Sequence, residues 1–172
     1  SDNRSYIDSG NERIFFHDIW AARLLNLEFS DDADFAINSQ FTTQLGARHP
    51  RVASTPSDAY AIVWDEDRFL LPGSSDELRQ DIFLRIIPND YTVTDATQFD
   101  EPMVTINDAG SDNATYPDVA VSPGGRILVV WQNEAEFQGS PDPGDIRCRL
   151  FAANGEAISD NEMTVNQDSG TN

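Results

Sequence analysis

Pro50-Arg51-Val52-Ala53-Ser54-Thr55-Pro56 is answered further along the chain by Pro117-Asp118-Val119-Ala120-Val121-Ser122-Pro123. The offset that carries Pro50 onto Pro117 also carries Val63-Trp64 onto Val130-Trp131. Pro, Val, Ala, Pro, Val and Trp coincide in order and without a gap, which chance does not produce. Self-similarity at a long fixed period is the mark of a repeat architecture.

A second block recurs downstream. Asp81-Ile82-Phe83-Leu84-Arg85 matches Asp145-Ile146-Arg147-Cys148-Arg149, and a partial copy opens at Asp18-Ile19, nearly the same distance before it. Each block leads through a turn to a short segment ending in Asn: Ala36-Ile37-Asn38, Thr105-Ile106-Asn107 and Thr164-Val165-Asn166. An Asn at a strand end can bond its own backbone, which accounts for its recurrence.

Each period reads as four strands. The first runs from Arg51 to Thr55, or Asp118 to Ser122. Pro123-Gly124-Gly125 makes the turn, Pro presetting φ and Gly permitting positive φ. The second strand, Tyr60 to Trp64 or Arg126 to Trp131, is apolar at consecutive positions, so both its faces need cover. Trp64 and Trp131 are therefore expected at equivalent places between sheets. The third strand alternates: Ile82, Leu84 and Ile86 share one face, as do Ile146, Cys148 and Leu150. Asn154-Gly155 closes a hairpin toward the fourth strand. In the partial copy, Trp20-Ala21-Ala22 reads as a third strand with a bulge, because Arg23 stands one place late.

Four short antiparallel strands, repeated at this long period, describe a propeller blade. The expected fold is all-β, with β-propeller-like blades in an incomplete propeller; a β-sandwich is the alternative. Residues 1–172 form a single repeat domain, with a partial blade over 18–47 and blades over 48–115 and 116–172. The pattern P-x-V-A, then G-x-x-x-V-V-W-Q, then D-I-x-x-R-L-F-x-x-x-G, then V-N resembles the repeats of large secreted bacterial β-propeller proteins, from about residue 18 to 166. The resemblance implies a secreted or cell-surface protein for binding, scaffolding or assembly. It does not fix an activity, since propellers carry unrelated ones. Two full repeats and the last half of a third fall short of the roughly four blades a propeller needs. The expected partners are therefore other protein subunits or the remaining blades of a longer chain, with carbohydrate as a further candidate.

Charge narrows the partners. The 172 residues carry 30 Asp and Glu against 11 basic residues, all Arg, for a net charge of −19. Nucleic-acid binders need basic patches, and anionic membrane is disfavoured on the same ground. No run approaches the roughly 20 apolar residues of a membrane helix. The opening at Ser1 without a charged-then-apolar leader is the form of a chain whose signal peptide is gone.

Candidate sites are few. No H-E-x-x-H, C-x-x-C, G-x-S-x-G or phosphate-binding glycine loop occurs, so the chain is not expected to be an enzyme by itself. The enzymatic alternative is part of a polysaccharide-acting propeller; the sandwich alternative would bind carbohydrate. No cofactor is expected beyond Ca²⁺, for which the densest carboxylate loops offer Asp108 with Asp112, and Asp31 with Asp34. Asn113-Ala114-Thr115 and Asn3-Arg4-Ser5 make Asn113 and Asn3 glycosylation candidates. Asp118 opens an innermost strand where Arg51 stands in the other copy, and is a candidate ligand contact against the plainer reading of a strand-end charge pair. Ser140-Pro141-Asp142-Pro143-Gly144 is similar to the Asp-box turn of sialidase-type propellers, with Arg147 in place of the aromatic. Cys148, the only cysteine, reads as a small core residue.

Overall fold

The computed structural model describes residues 6–8, 13–15, 20–21, 24–25, 28–29, 35–37, 46–69, 78–88, 104–108, 113–134 and 144–166. The regular elements among them are all strands. In chain order they are β1 (Tyr6–Asp8), β2 (Arg13–Phe15), β3 (Trp20–Ala21), β4 (Leu24–Leu25), β5 (Glu28–Phe29), β6 (Phe35–Ala36), β7 (Ala47–Ser54), β8 (Ala59–Phe69), β9 (Leu78–Pro88), β10 (Val104–Thr105), β11 (Asn113–Val121), β12 (Ile127–Glu134), β13 (Asp145–Phe151) and β14 (Met163–Thr164). They build two four-stranded antiparallel sheets, β10-β9-β8-β7 and β11-β12-β13-β14, and three two-stranded pairs, β1-β2, β3-β6 and β4-β5.

The four-stranded sheets share one hydrogen-bonding plan. Arg51 pairs with Val63 and Ser54 with Tyr60; at the matched positions of the second sheet, Asp118 pairs with Val130 and Val121 with Ile127. Both ladders break at the same place, between Arg48 and Arg51 and between Thr115 and Asp118. The cause is legible in the chain. Pro50 and Pro117 have no N–H to give a ladder, and within a sheet such residues are tolerated at bulges. Two residues on the first strand, His49-Pro50 or Tyr116-Pro117, then oppose one on the second, Trp64 or Trp131. His49 and Tyr116 each take φ 51° to make the step. The hairpin turns also match: Asp58 has φ 60° where its counterpart Gly125 has φ 80°.

Outer strands follow suit. Phe83 pairs with Thr105 and Leu84 with Val104; Arg147 pairs with Thr164 and Cys148 with Met163. The short β3-β6 pair, Trp20 with Ala36 and Ala21 with Phe35, has the same register. Its companion β1-β2 begins at Tyr6 with Phe15, which the offset from Asp18 to Asp81 carries onto the Phe69 and Leu78 pair at the tip of β8 and β9. The bulge expected after Trp20 falls on residues outside those described.

Packing explains the apolar pattern. Ala61, Val63, Ile82, Leu84 and Ile106 of the first sheet meet Ala114, Ile127, Val129, Trp131 and Phe151 of the second in one core. The opposite face of the first sheet gathers Ala47, Ile62, Trp64, Phe83 and Ile87 around Ile37. Trp64 and Trp131 are both fully buried, on second strands. The middle of β8 and β9 is therefore apolar on both faces because it is covered on both, while Val52 of β7 and Tyr60 at the start of β8 stay exposed. The third strand of the second sheet keeps the simple alternation only in part, with Cys148 and Phe151 buried and Ile146 exposed.

Three details differ from the sequence reading. The first strands start earlier, at Ala47 and Asn113, because pairing resumes beyond the bulge. The turn at Asn154-Gly155 returns only to a bridge between Phe151 and Ala157, and the fourth strand forms later, at Met163. The recurring Asn reaches across the sheet rather than to its own backbone. Asn107 Oδ1 accepts from the Ile82 N–H at 2.8 Å, and Asn166 Oδ1 from the Ile146 N–H at 2.7 Å.

Candidate functional site

Polar groups converge where the two bulges meet. Each bulge holds its residue in the left-handed region, which costs a non-glycine side chain about 1–2 kcal/mol. Strain of that kind concentrates at sites where a side chain must be aimed. Here the two bulged residues, one from each sheet, lie against each other, with the His49 and Tyr116 ring centroids 4.4 Å apart. Tyr116 remains exposed and His49 partly so.

Beneath His49 lies Asp65, buried on β8. Its Oδ1 stands 2.7 Å from His49 Nδ1. A carboxylate only accepts, so Nδ1 donates, which leaves Nε2 as the acceptor nitrogen of the neutral ring. Burial pushes the Asp65 carboxyl above its ordinary range; the His49 hydrogen bond and charge, Arg48 and the Tyr116 backbone N–H pull it partly back. Arg48 Nε lies 4.0 Å from Asp65 Oδ2, and Arg48 Nη2 also bonds Asp67. Asp67 accepts a further bond from Gln80 Nε2 at 3.0 Å. Next to them Trp64 Nε1 donates to buried Glu66 at 3.0 Å.

This group has a positioned imidazole, an arginine held by two carboxylates and an exposed tyrosine ring. Such a set can stack on a ligand ring and hydrogen-bond its edge. Among the described residues no hydroxyl or thiol hydrogen-bonds His49.

The residues singled out from sequence lie elsewhere. Asp118 is exposed and accepts from the Val119 N–H at 3.0 Å, while Arg51 donates to the Pro50 carbonyl at 3.0 Å. Neither forms an ion pair among the described residues. Asp108 is exposed and pairs with Arg149 Nη1 at 3.3 Å; Asp112, Asp31 and Asp34 lie outside the described residues. Among the described residues no three His, Cys, Asp or Glu gather as a metal site. Asn113 begins β11 half-buried, its Oδ1 accepting from the Gln80 N–H at 3.1 Å. Asn3 and residues 140–143 are not among those described. Gly144 is, with φ 73° and the Asn133 carbonyl 2.6 Å from where a Cβ would stand, so the turn before β13 requires glycine.

Sequence reasoning passed over His49, Asp65 and Tyr116. The signal was present: proline opposite tryptophan in both aligned copies marks a bulge, and His49 and Tyr116 are its residues. No family model, curated protein or solved structure matches the chain.

Proposed function

We propose that this chain is a β-propeller-type repeat protein, secreted or at the cell surface, that serves binding, scaffolding or assembly. One observation carries the reading. Each third-strand arginine reaches the last strand of the preceding unit: Arg85 Nη1 donates to the Ile37 carbonyl, and Arg149 Nη1 to the Ile106 carbonyl at 2.8 Å. One inter-sheet tie used twice favours units stacked in series. A two-sheet sandwich leaves an outer face of each sheet to water, whereas Trp64 and Phe83 on the outer face of the first sheet here are as buried as Val63 and Leu84 on the inner one. In such a stack the first strands lie innermost, and the bulge residues His49 and Tyr116 form the ligand-facing seam between neighbouring units.

The His49–Asp65 pair is the observation that keeps a polysaccharide-acting enzyme as the second reading. A glycan array combined with a product assay separates the two. Binding to particular glycans, weakened at least tenfold by Tyr116→Ala and without product release, supports the binding role. Release of oligosaccharides that stops in His49→Ala supports the enzyme. Absence of both responses removes carbohydrate from the proposal and leaves scaffolding.

A further inference from the structure

Matched positions on the two complete sheets differ sharply in cover. On the first sheet Ala61, Val63, Ile82, Leu84 and Ile106 are all 0% exposed, because the second sheet lies on them. The pairing registers match these with Leu128, Val130, Ile146, Cys148 and Val165 on the second sheet. There Leu128 is 37% exposed, Ile146 38% and Val165 58%, with Met163 at 47% beside them, while Val130 is partly covered and Cys148 is buried. Large apolar side chains grouped on one sheet face are an interaction surface rather than ordinary scatter. The polar position agrees. Gln132 stands where the first sheet has Asp65, and Asp118, paired with Val130 on this face, matches Arg51, which stays exposed although the second sheet covers its face.

We infer that this face docks one further four-stranded sheet of the same repeat, stacked on β11–β14 as β11–β14 is stacked on β7–β10. The inference rests on the stacked-repeat reading above and names its partner. The contact already made inside the chain specifies the partner's chemistry. It brings a second-strand tryptophan flanked by alternate aliphatic residues, as Ile127, Val129 and Trp131 do, and a third-strand arginine placed to reach the Val165 carbonyl. A second copy of this chain does not supply that surface from its complete sheets. Its Trp131 face is already covered by its own first sheet, and its Trp64 face by Ile37.

The test extends the full chain. A second copy of residues 113–172 is added after Asn172, so that the spacer from Asn166 to the added strand is one residue longer than the native one from Asn107 to Asn113. Met163 oxidation by dilute peroxide, read by mass spectrometry, reports on cover of the face. The extended chain should oxidise at Met163 at least tenfold more slowly than the original, and Trp131→Ala in the added copy should restore the rate. Unchanged oxidation of the original Met163 overturns the inference, whether the added sheet folds or not. So does sedimentation showing that the unextended chain dimerises with Met163 protected, because the occupant is then a second copy. Burial of Trp131 in the unextended chain, read from the fluorescence lost between a Trp20→Phe, Trp64→Phe double variant and the same variant with Trp131→Phe, tests the stacked arrangement separately. A failed extension with Trp131 buried counts against the docking face alone.

Discussion

Arg149 Nη1 donates to the Ile106 carbonyl at 2.8 Å, joining the third strand of the second sheet to the strand end of the first. The same guanidinium takes the Ser159 carbonyl through Nε at 3.3 Å and the Asp160 carbonyl through Nη2 at 3.0 Å. Arg85 makes the corresponding reach to Ile37 from a fully buried position. Arg85→Ala leaves a buried carbonyl without its charged donor and should cost about 3 kcal/mol, at the upper end for a hydrogen bond to a charged group. Arg149→Ala, nearer to water, should cost about 1–2 kcal/mol. Lysine should not restore either, since one ammonium cannot reproduce the fork. Urea unfolding of the four variants checks the order; equal losses at both sites would contradict it.

Trp64 and Trp131 fill matched places in successive cores. Truncation to alanine should cost about 3–5 kcal/mol at each site. Midpoint shifts in denaturant measure it, and a loss below about 1 kcal/mol at either position would contradict the packing described.

The two strand-end asparagines make one bond in different surroundings. Asn107→Ala strands the buried Ile82 N–H and also removes the Nδ2 bond to Asp81, 2.8 Å long. A loss of about 1–3 kcal/mol follows. At exposed Asn166 water can take over from the side chain, so Asn166→Ala should cost under ~1 kcal/mol. Parallel thermal melts compare them.

Burial raises the Asp65 carboxyl above its ordinary value of 3.8. The folded chain thus holds this proton more tightly than the unfolded chain does. The resulting stability is full below the unfolded value and is lost as pH rises through the folded one. Asp65→Asn keeps an acceptor for His49 and removes the titration. Relative to that variant, the original chain should lose stability as pH rises from about 3.5 to 7. Melts across this range decide it; a gap that widens in the opposite direction would refute the assignment.

A net charge of −19 repels itself, and salt screens that repulsion. The melting temperature should rise from millimolar to near-molar NaCl. If micromolar Ca²⁺ alone gave the whole gain, specific carboxylate sites such as one at Asp108 would account for the acidity instead.

Strand type and strand partners were legible in the chain because they depend on local chemistry. Pro50 and Pro117 deny the ladder a donor, Asp58 and Gly125 take the turn, and Val63-Trp64 and Val130-Trp131 carry apolar side chains onto both faces. Those constraints act within a few residues, so matching stretches specify an all-β chain and matching registers. Tertiary structure alone decided what lies against what. It set His49 on Tyr116, buried Asp65 beneath them and sent Asn107 and Asn166 across the sheet instead of back to their own backbone. It also separated equivalent residues: Ile82 is buried and Ile146 exposed, although both follow Asp at the same place in the third strand. The reason is physical. A residue's covalent neighbours fix its backbone conformation, but its cover comes from a sheet built by residues far along the chain. Burial, and with it the Asp65 proton affinity and the open apolar face, belongs to the stack rather than to the strand.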